Sequence, residues 1–357
     1  MPQIVYETRD FPAGVLPHTT PVIDPSMLEL MTAATRVGDP GIFTGHKRPL
    51  AELQWRGAMI DASLIEVVGG TKSKPDLRWA KSTSFSRLDP SEKTSISYFL
   101  GMLQATVVAK KLLGVSDIVH VDAILELRGI PLKKGRPDLV GYRTRPANAS
   151  SLGRVLIEAK GRTNGSDADA LRKAKKQVKD TGSVARRLVG RKPLLVASMA
   201  YFTDRGDWRG IYVDPPADDE VDPLVEDDAV FEGLLNIASI RPVVNAIAQL
   251  REFAPERIRV SRDSEMIIAT LPGQDLAFGV PTEVFNRVLE LTGPPDDPRP
   301  VDDRRAAEWA QSIWARRQLA PALRERVGKV HEGEFAGFHL DEDGILSAAL
   351  RPEPEFG

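Results

Sequence analysis

Residues 135–143, Gly-Arg-Pro-Asp-Leu-Val-Gly-Tyr-Arg, and residues 154–162, Arg-Val-Leu-Ile-Glu-Ala-Lys-Gly-Arg, decide the fold. Both read as strands bounded by turn residues. In the second, alternation places Leu156, Glu158 and Lys160 on one face and Val155, Ile157 and Ala159 on the other. The apolar run Val155 to Ile157 marks this strand as buried, where an ionised Glu and Lys cost free energy unless they are paired or bound to a metal. Asp138 opens the neighbouring strand, and hairpin pairing brings its carboxylate alongside Glu158.

Upstream, Asp89-Pro90-Ser91-Glu92 is a helix start, with Asp89 as N-cap, Pro90 at the first helical position and Glu92 in the first turn. The helix runs to about Leu113 and stops at Gly114. Residues 118–127, rich in β-branched and aliphatic side chains, predict a first strand, residues 136–143 a second and residues 154–160 a third. After the loop 161–166, residues 167–188 form a strongly basic helix. Residues 193–202 form a continuous apolar run that suits a central strand. The order α-β-β-β-α-β describes an α/β core with a mixed central sheet flanked by helices, over residues 91–204.

The remaining chain divides around this core. Residues 1–90 form an N-terminal accessory region of short elements, including a helix near 25–35 and an apolar segment at 58–68 that periodicity leaves open between helix and strand. Residues 205–228 read as an acidic linker or loop. Residues 229–357 read as a C-terminal α+β accessory region: helices at 230–253, 282–291 and 302–327, a strand pair at 258–270 and 275–280, and a hairpin around Asp343-Gly344. Trp309, Trp314 and Phe285 there suit core packing or a partner surface.

Composition narrows the chemistry. The chain has 357 residues, 42% of them hydrophobic, a formal net charge of -2 and no cysteine. Thiolate zinc sites, iron–sulfur clusters, disulfides and cysteine nucleophiles are excluded, so any metal is held by oxygen or imidazole. The opening residues show neither a basic nor an apolar signal region, and no apolar run approaches the roughly 18 residues that span a bilayer. The expectation is a cytoplasmic protein with no membrane partner.

The near-zero charge hides a local imbalance. From Arg154 to Lys192 there are twelve Lys/Arg against four Asp/Glu, a balance of +8, and from Asp204 to Asp228 two against ten, a balance of -8. Phosphate attraction is local, decaying over roughly 8 to 10 Å, so the basic block leaves a nucleic-acid partner open.

Two carboxylates, a strand carbonyl and waters suit an octahedral Mg2+ ion, with Mn2+ as a substitute. A lysine beside a metal-bound water can orient it or lower its pKa while the metal neutralises a scissile phosphate. On Pro137-Asp138 followed by Glu158-Ala159-Lys160, within this element order, the sequence resembles the PD-(D/E)xK, or restriction-endonuclease-like, nuclease superfamily. The resemblance implies that Asp138 and Glu158 bind the metal, that Ala159 lends its backbone carbonyl and that Lys160 assists the nucleophilic water. Many members also place a Glu in the first core helix. Residues 94–113 contain none here, and Gln104 is the candidate for that place, a buried amide satisfied by backbone being the alternative.

The resemblance implies a DNA endonuclease, DNA rather than RNA, in bacterial restriction, antiphage defence or repair, as a homo-oligomer or with a partner protein of a defence system. The alternative is a catalytically inactive nuclease-like module for nucleic-acid binding or assembly. Lys133, Lys134, Arg136, Arg162, Lys173, Lys175, Lys176 and Gln177 are the candidate nucleic-acid contacts, joined by Arg172, Lys179, Arg186 and Arg187 on the basic helix. His120, Asp122 and Glu126 share parity in the expected first strand and form a weaker candidate ligand set. Gly69 to Ser73 lacks the P-loop spacing, and no Gly-x-Ser-x-Gly elbow is present.

Overall fold

A computed structural model describes residues 1–11, 15–16, 22–37, 49–71, 74–131, 136–143, 153–180, 193–215 and 228–351. Lys133, Lys134, Arg186, Arg187, residues 216–227 of the acidic stretch and the side chain of Trp314 lie outside the described residues.

The decisive helix is α4 (Pro90–Leu113), and its ends follow the local chemistry. Asp89 accepts hydrogen bonds from the backbone N–H groups of Ser91 (2.6 Å) and Glu92 (3.2 Å), while Glu92 accepts from the Asp89 N–H (3.1 Å). This reciprocal box satisfies donors that a helix start otherwise leaves open. Gly114 closes the helix at φ 64°, a left-handed conformation that glycine adopts without a Cβ clash.

A seven-stranded mixed sheet lies against α4. Its strands in chain order are β1 (Ile4–Arg9), β2 (Val22–Ile23), β5 (Val115–His120), β6 (Leu139–Arg143), β7 (Arg154–Arg162), β8 (Leu194–Phe202) and β9 (Trp208–Val213), and their spatial order is β2-β1-β9-β8-β7-β6-β5. The pairs β5–β6 and β6–β7 are antiparallel, as adjacent antiparallel strands allow. The β7–β8 pair is parallel and is crossed by α6 (Ala168–Lys179), as a parallel connection requires. The apolar run of β8 occupies the middle position of the sheet.

Alternation along β8 and β9 separates the two layers of helices. Val196 and Tyr212 face α4, where they line a pocket with Ala105, Val108 and Ala109. Ala197, Met199, Ile211 and Val213 face α6 and pack on Ala170, Leu171 and Ala174. The sheet is therefore covered on both faces, with α4 on one side and the basic helix on the other.

Three expectations are corrected. The segment expected as one strand over 118–127 breaks at His120: β5 ends there and α5 (Val121–Leu127) begins. The His120 ring accepts from the Asp122 N–H at 3.3 Å as an N-cap, and five of the seven α5 side chains are buried apolar groups, so no periodicity marks the switch. Residues 208–213, placed in the acidic linker, are strand β9, paired with β8 on one side and in parallel with β1 on the other. The expected strand pair at 258–280 is three strands, β10 (Ile258–Ser261), β11 (Met266–Thr270) and β12 (Leu276–Pro281).

These three join β13 (Phe335–Leu340) and β14 (Leu346–Leu350), which flank Asp343-Gly344, in an antiparallel sheet of order β10-β11-β12-β14-β13. Gly344 takes φ 85° in that turn. Helix α7 (Asp228–Phe253) packs on β5 of the first sheet and on β11 and β12 of this one, α8 (Thr282–Thr292) packs on α7 and β12, and α9 (Asp303–Val330) packs on α7 and β13. Near the N-terminus lie α1 (Met27–Ala34), α2 (Pro49–Ser63), the ribbon β3 (Leu64–Thr71) with β4 (Lys74–Lys81), and α3 (Thr83–Arg87), so residues 58–68 contain both a helix end and a strand start.

Phe285 and Trp309 are buried. By length and composition alone, α4 and α7 are apolar enough to cross a membrane, yet 72% and 89% of their apolar windows are buried within the fold, which accounts for that apolarity.

Candidate active site

Asp138 stands at the point where β6 begins. In the β6–β7 register Leu139 pairs with Ile157, so the next position back brings Asp138 beside Glu158. There the Asp138 side chain replaces a ladder partner: its Oδ2 accepts from the Ala159 N–H at 2.8 Å. Along a strand, the C=O and N–H of one residue point to the same edge. The Ala159 carbonyl thus lies on the edge that Asp138 caps, while the Glu158 carbonyl faces β8 and accepts from Ser198 Oγ at 3.4 Å.

Glu158 and Lys160 project from the same face of β7, and Lys160 Nζ donates to Glu158 Oε1 at 2.5 Å. Glu158 is only 3% exposed. Burial pushes its carboxyl up to about 7, the adjacent Asp138 carboxylate adds to the rise, and the Lys160 ammonium opposes it. Two acids are thus balanced locally by one lysine. In register, Glu158 and Lys160 sit beside Ala197 and Met199, so they occupy the α6-covered face.

Tyr98, which the sequence did not single out, joins this site. Its hydroxyl donates to Asp138 Oδ1 at 2.9 Å. Burial of the hydroxyl and the nearby Asp138 charge raise its pKa, so the phenol stays protonated and remains a donor. An available signal was its position as an aromatic hydroxyl within an otherwise small and apolar helical stretch.

Gln104 is not brought to the carboxylates. It is fully buried, its Oε1 accepts from Tyr212 Oη at 2.9 Å and its Nε2 donates to the Arg209 carbonyl at 3.3 Å. Both ends of the amide serve the α4–β9 contact. Asp122 is likewise occupied, receiving both Nε and Nη2 of Arg136, the latter at 2.6 Å. With the chain helical after His120, the trio His120, Asp122 and Glu126 does not share a strand face.

No family model, curated protein or solved structure matches the chain. Among the described residues, no group of three or more His, Asp and Glu side chains gathers as a metal-ligand cluster. The Asp138, Glu158 and Ala159 oxygens nonetheless fit a hard divalent cation in kind, because burial, and then the adjacent Asp138 carboxylate, disfavour the charged form of Glu158, and an added cation relieves both effects.

The basic candidates separate by geometry. On α6, Ala170, Leu171, Ala174 and Val178 are buried, whereas Lys173, Lys176 and Gln177 are exposed. Lys175 lies 3.4 Å from Asp10, and Arg172 pairs with Asp169 at 2.7 Å. Arg162 donates to Asp167 at 3.0 Å and to the Gly161 carbonyl at 2.9 Å, bracing the loop that starts α6. Lys173 and Lys176 are therefore the clearest candidates for phosphate contact, on a helix covering the face that carries Glu158 and Lys160.

Proposed function

We propose that the protein is a metal-dependent nuclease with a restriction-endonuclease-like core, hydrolysing phosphodiester bonds of DNA. The observation that carries this reading is the meeting of Asp138, Glu158 and Lys160 at the mouth of the β6–β7 hairpin, with the basic helix α6 on the face that carries Glu158 and Lys160. Asp138, Glu158 and the Ala159 carbonyl would hold Mg2+, or Mn2+ in its place, supplying charge neutralisation at the phosphate and a more acidic water.

The chain's own groups account for the rest. Lys160, extending past Glu158, orients the attacking water and stabilises negative charge developing on the phosphoryl oxygens. Its contact with Glu158 holds the ammonium at the site rather than free in solvent. Asp138, fixed by the Ala159 N–H, keeps a constant position as substrate enters. The exposed lysines of α6 hold the phosphate backbone electrostatically.

The alternative, a nuclease-like module that binds nucleic acid without cutting it, is favoured by the absence of a third acid at the site among the described residues. One experiment separates them: incubation with Mg2+ and then Mn2+ on linear duplex, circular duplex and single-stranded DNA and on RNA, for wild type, Glu158→Gln and Lys160→Ala. Cleavage that falls by about a hundredfold or more in both variants supports the nuclease. Variants that cut as well as wild type rule it out, and salt-sensitive binding without any cleavage selects the alternative.

A further inference from the structure

We infer that Tyr98 is a positioning residue that sets the carboxylate of Asp138 for cation binding, an inference that rests on the metal-dependent reading above. A carboxylate offers about four lone-pair sites on two oxygens. The Ala159 N–H takes one on Oδ2 at 2.8 Å, and the Tyr98 hydroxyl takes one on Oδ1 at 2.9 Å. With a donor on each oxygen, rotation about the Cβ–Cγ bond breaks a hydrogen bond in either direction. One lone pair on each oxygen remains to face the site.

The two donors are fixed by independent parts of the fold. The N–H belongs to the backbone of β7. The phenol belongs to α4, which approaches β7 unusually closely: a Cβ on Gly101 would lie 2.8 Å from the Lys160 carbonyl carbon and oxygen, and one on Gly161 would overlap the Ser97 carbonyl. The residue next to Ser97 is therefore held at a defined height above the strand that carries Glu158 and Lys160. Residues 94–113 contain no Asp or Glu, so α4 brings a donor to the site rather than another ligand. The Tyr98 residue as a whole remains 43% exposed, so losing its hydroxyl leaves the packing of α4 in place.

The test is Mn2+ binding to the full chain, measured by calorimetry for wild type, Tyr98→Phe and Glu158→Gln, with cleavage rates across a Mn2+ titration as a second readout. Hydrogen-bond partners of metal ligands typically contribute tenfold to a hundredfold in affinity. Tyr98→Phe is expected to weaken Mn2+ binding by about tenfold or more, and saturating Mn2+ is expected to return its cleavage rate to near that of wild type. A merely structural tyrosine would lower the rate at every Mn2+ concentration instead. Unchanged Mn2+ affinity in Tyr98→Phe, with binding abolished in Glu158→Gln, overturns this inference alone. Wild type that binds no Mn2+, or binding that Glu158→Gln leaves intact, overturns the metal-dependent reading together with it.

Discussion

Arg317 of α9 donates to Asp117 of β5 at 2.5 Å, joining two side chains 200 positions apart in the chain. The same guanidinium reaches Asp343 at 2.9 Å, and Asn236 bridges both carboxylates at 3.2 and 2.9 Å. Asp343 also pairs with Arg36 at 3.3 Å. Asp117 is fully buried on a strand adjacent to β6, so this ionic knot braces the sheet that presents Asp138 from the side of the C-terminal helices. Arg317→Met would leave two buried carboxylates short of a cation. A destabilisation of about 3 to 5 kcal/mol is expected, read from the urea midpoint at constant slope.

Stability should also depend on pH through the same cluster. Burial first, and then the Asp343 charge, push Asp117 up to about 7, while Arg317 and Arg36 oppose the rise. Burial likewise raises Asp214 to about 7, with Asp10 adding to it. Between about pH 4 and 7 the folded state binds more protons at these groups than the unfolded chain does, so their contribution to stability falls as pH rises and is level above that range. Asp343 is shifted downward, and its contribution changes only below about pH 4. The stability of wild type relative to Asp117→Asn is therefore expected to shrink as pH rises from 4.5 to 7.5. Calorimetric melting across that window checks it, and a constant difference would count against the assignment.

Gly161→Ala should be severe. A Cβ there meets the Ser97 carbonyl, which is backbone and can yield only if α4 shifts. A loss of about 3 kcal/mol is expected, at the upper end for overpacking. Gly333→Ala, where no atom lies within 4 Å of the added carbon, is the control and should be close to neutral. Paired urea titrations compare the two.

The α6 lysines should act through salt. Replacing both Lys173 and Lys176 by Ala is expected to reduce the slope of log affinity against log salt concentration for duplex DNA by about 1.8, from roughly 0.9 per phosphate contact. Replacing Lys175, already near Asp10, should change it less. Fluorescence anisotropy at several salt concentrations measures both.

Much of the mixed sheet was legible because its signals are local. The ends of α4 are written in Asp89, Pro90, Glu92 and Gly114, the β8 run is continuously apolar, and Asp343-Gly344 marks its hairpin. The approach of Asp138 to Glu158 followed from hairpin pairing. What stayed hidden depends on distant contacts. Strand β9 lies between acidic residues that read as a linker, although it forms a hairpin with β8 and its outer edge is closed by the distant β1. The break after His120 is set by a cap within an apolar run. The occupant of the site from α4 depends on which side chains of that helix face β6 and which face β9, and these proved to be Tyr98 and Gln104 respectively. Asp117 and Arg317 carry no sequence signal that they meet.

The parallel pairing of β1 with β9, Val5 with Arg209, also bears on how the chain comes together during synthesis. These partners are 204 positions apart, and at roughly 5 to 20 residues per second that separation is about 10 to 40 seconds of translation. Through that interval β1, with Ile4 and Tyr6 destined for the core, has among the described residues only the two-residue β2 and the Gln3–Arg78 bridge to pair with. The β5–β8 portion can pair beforehand, which makes the β1–β9 seam the late-closing part of the sheet and leaves the edge of β1 exposed longest.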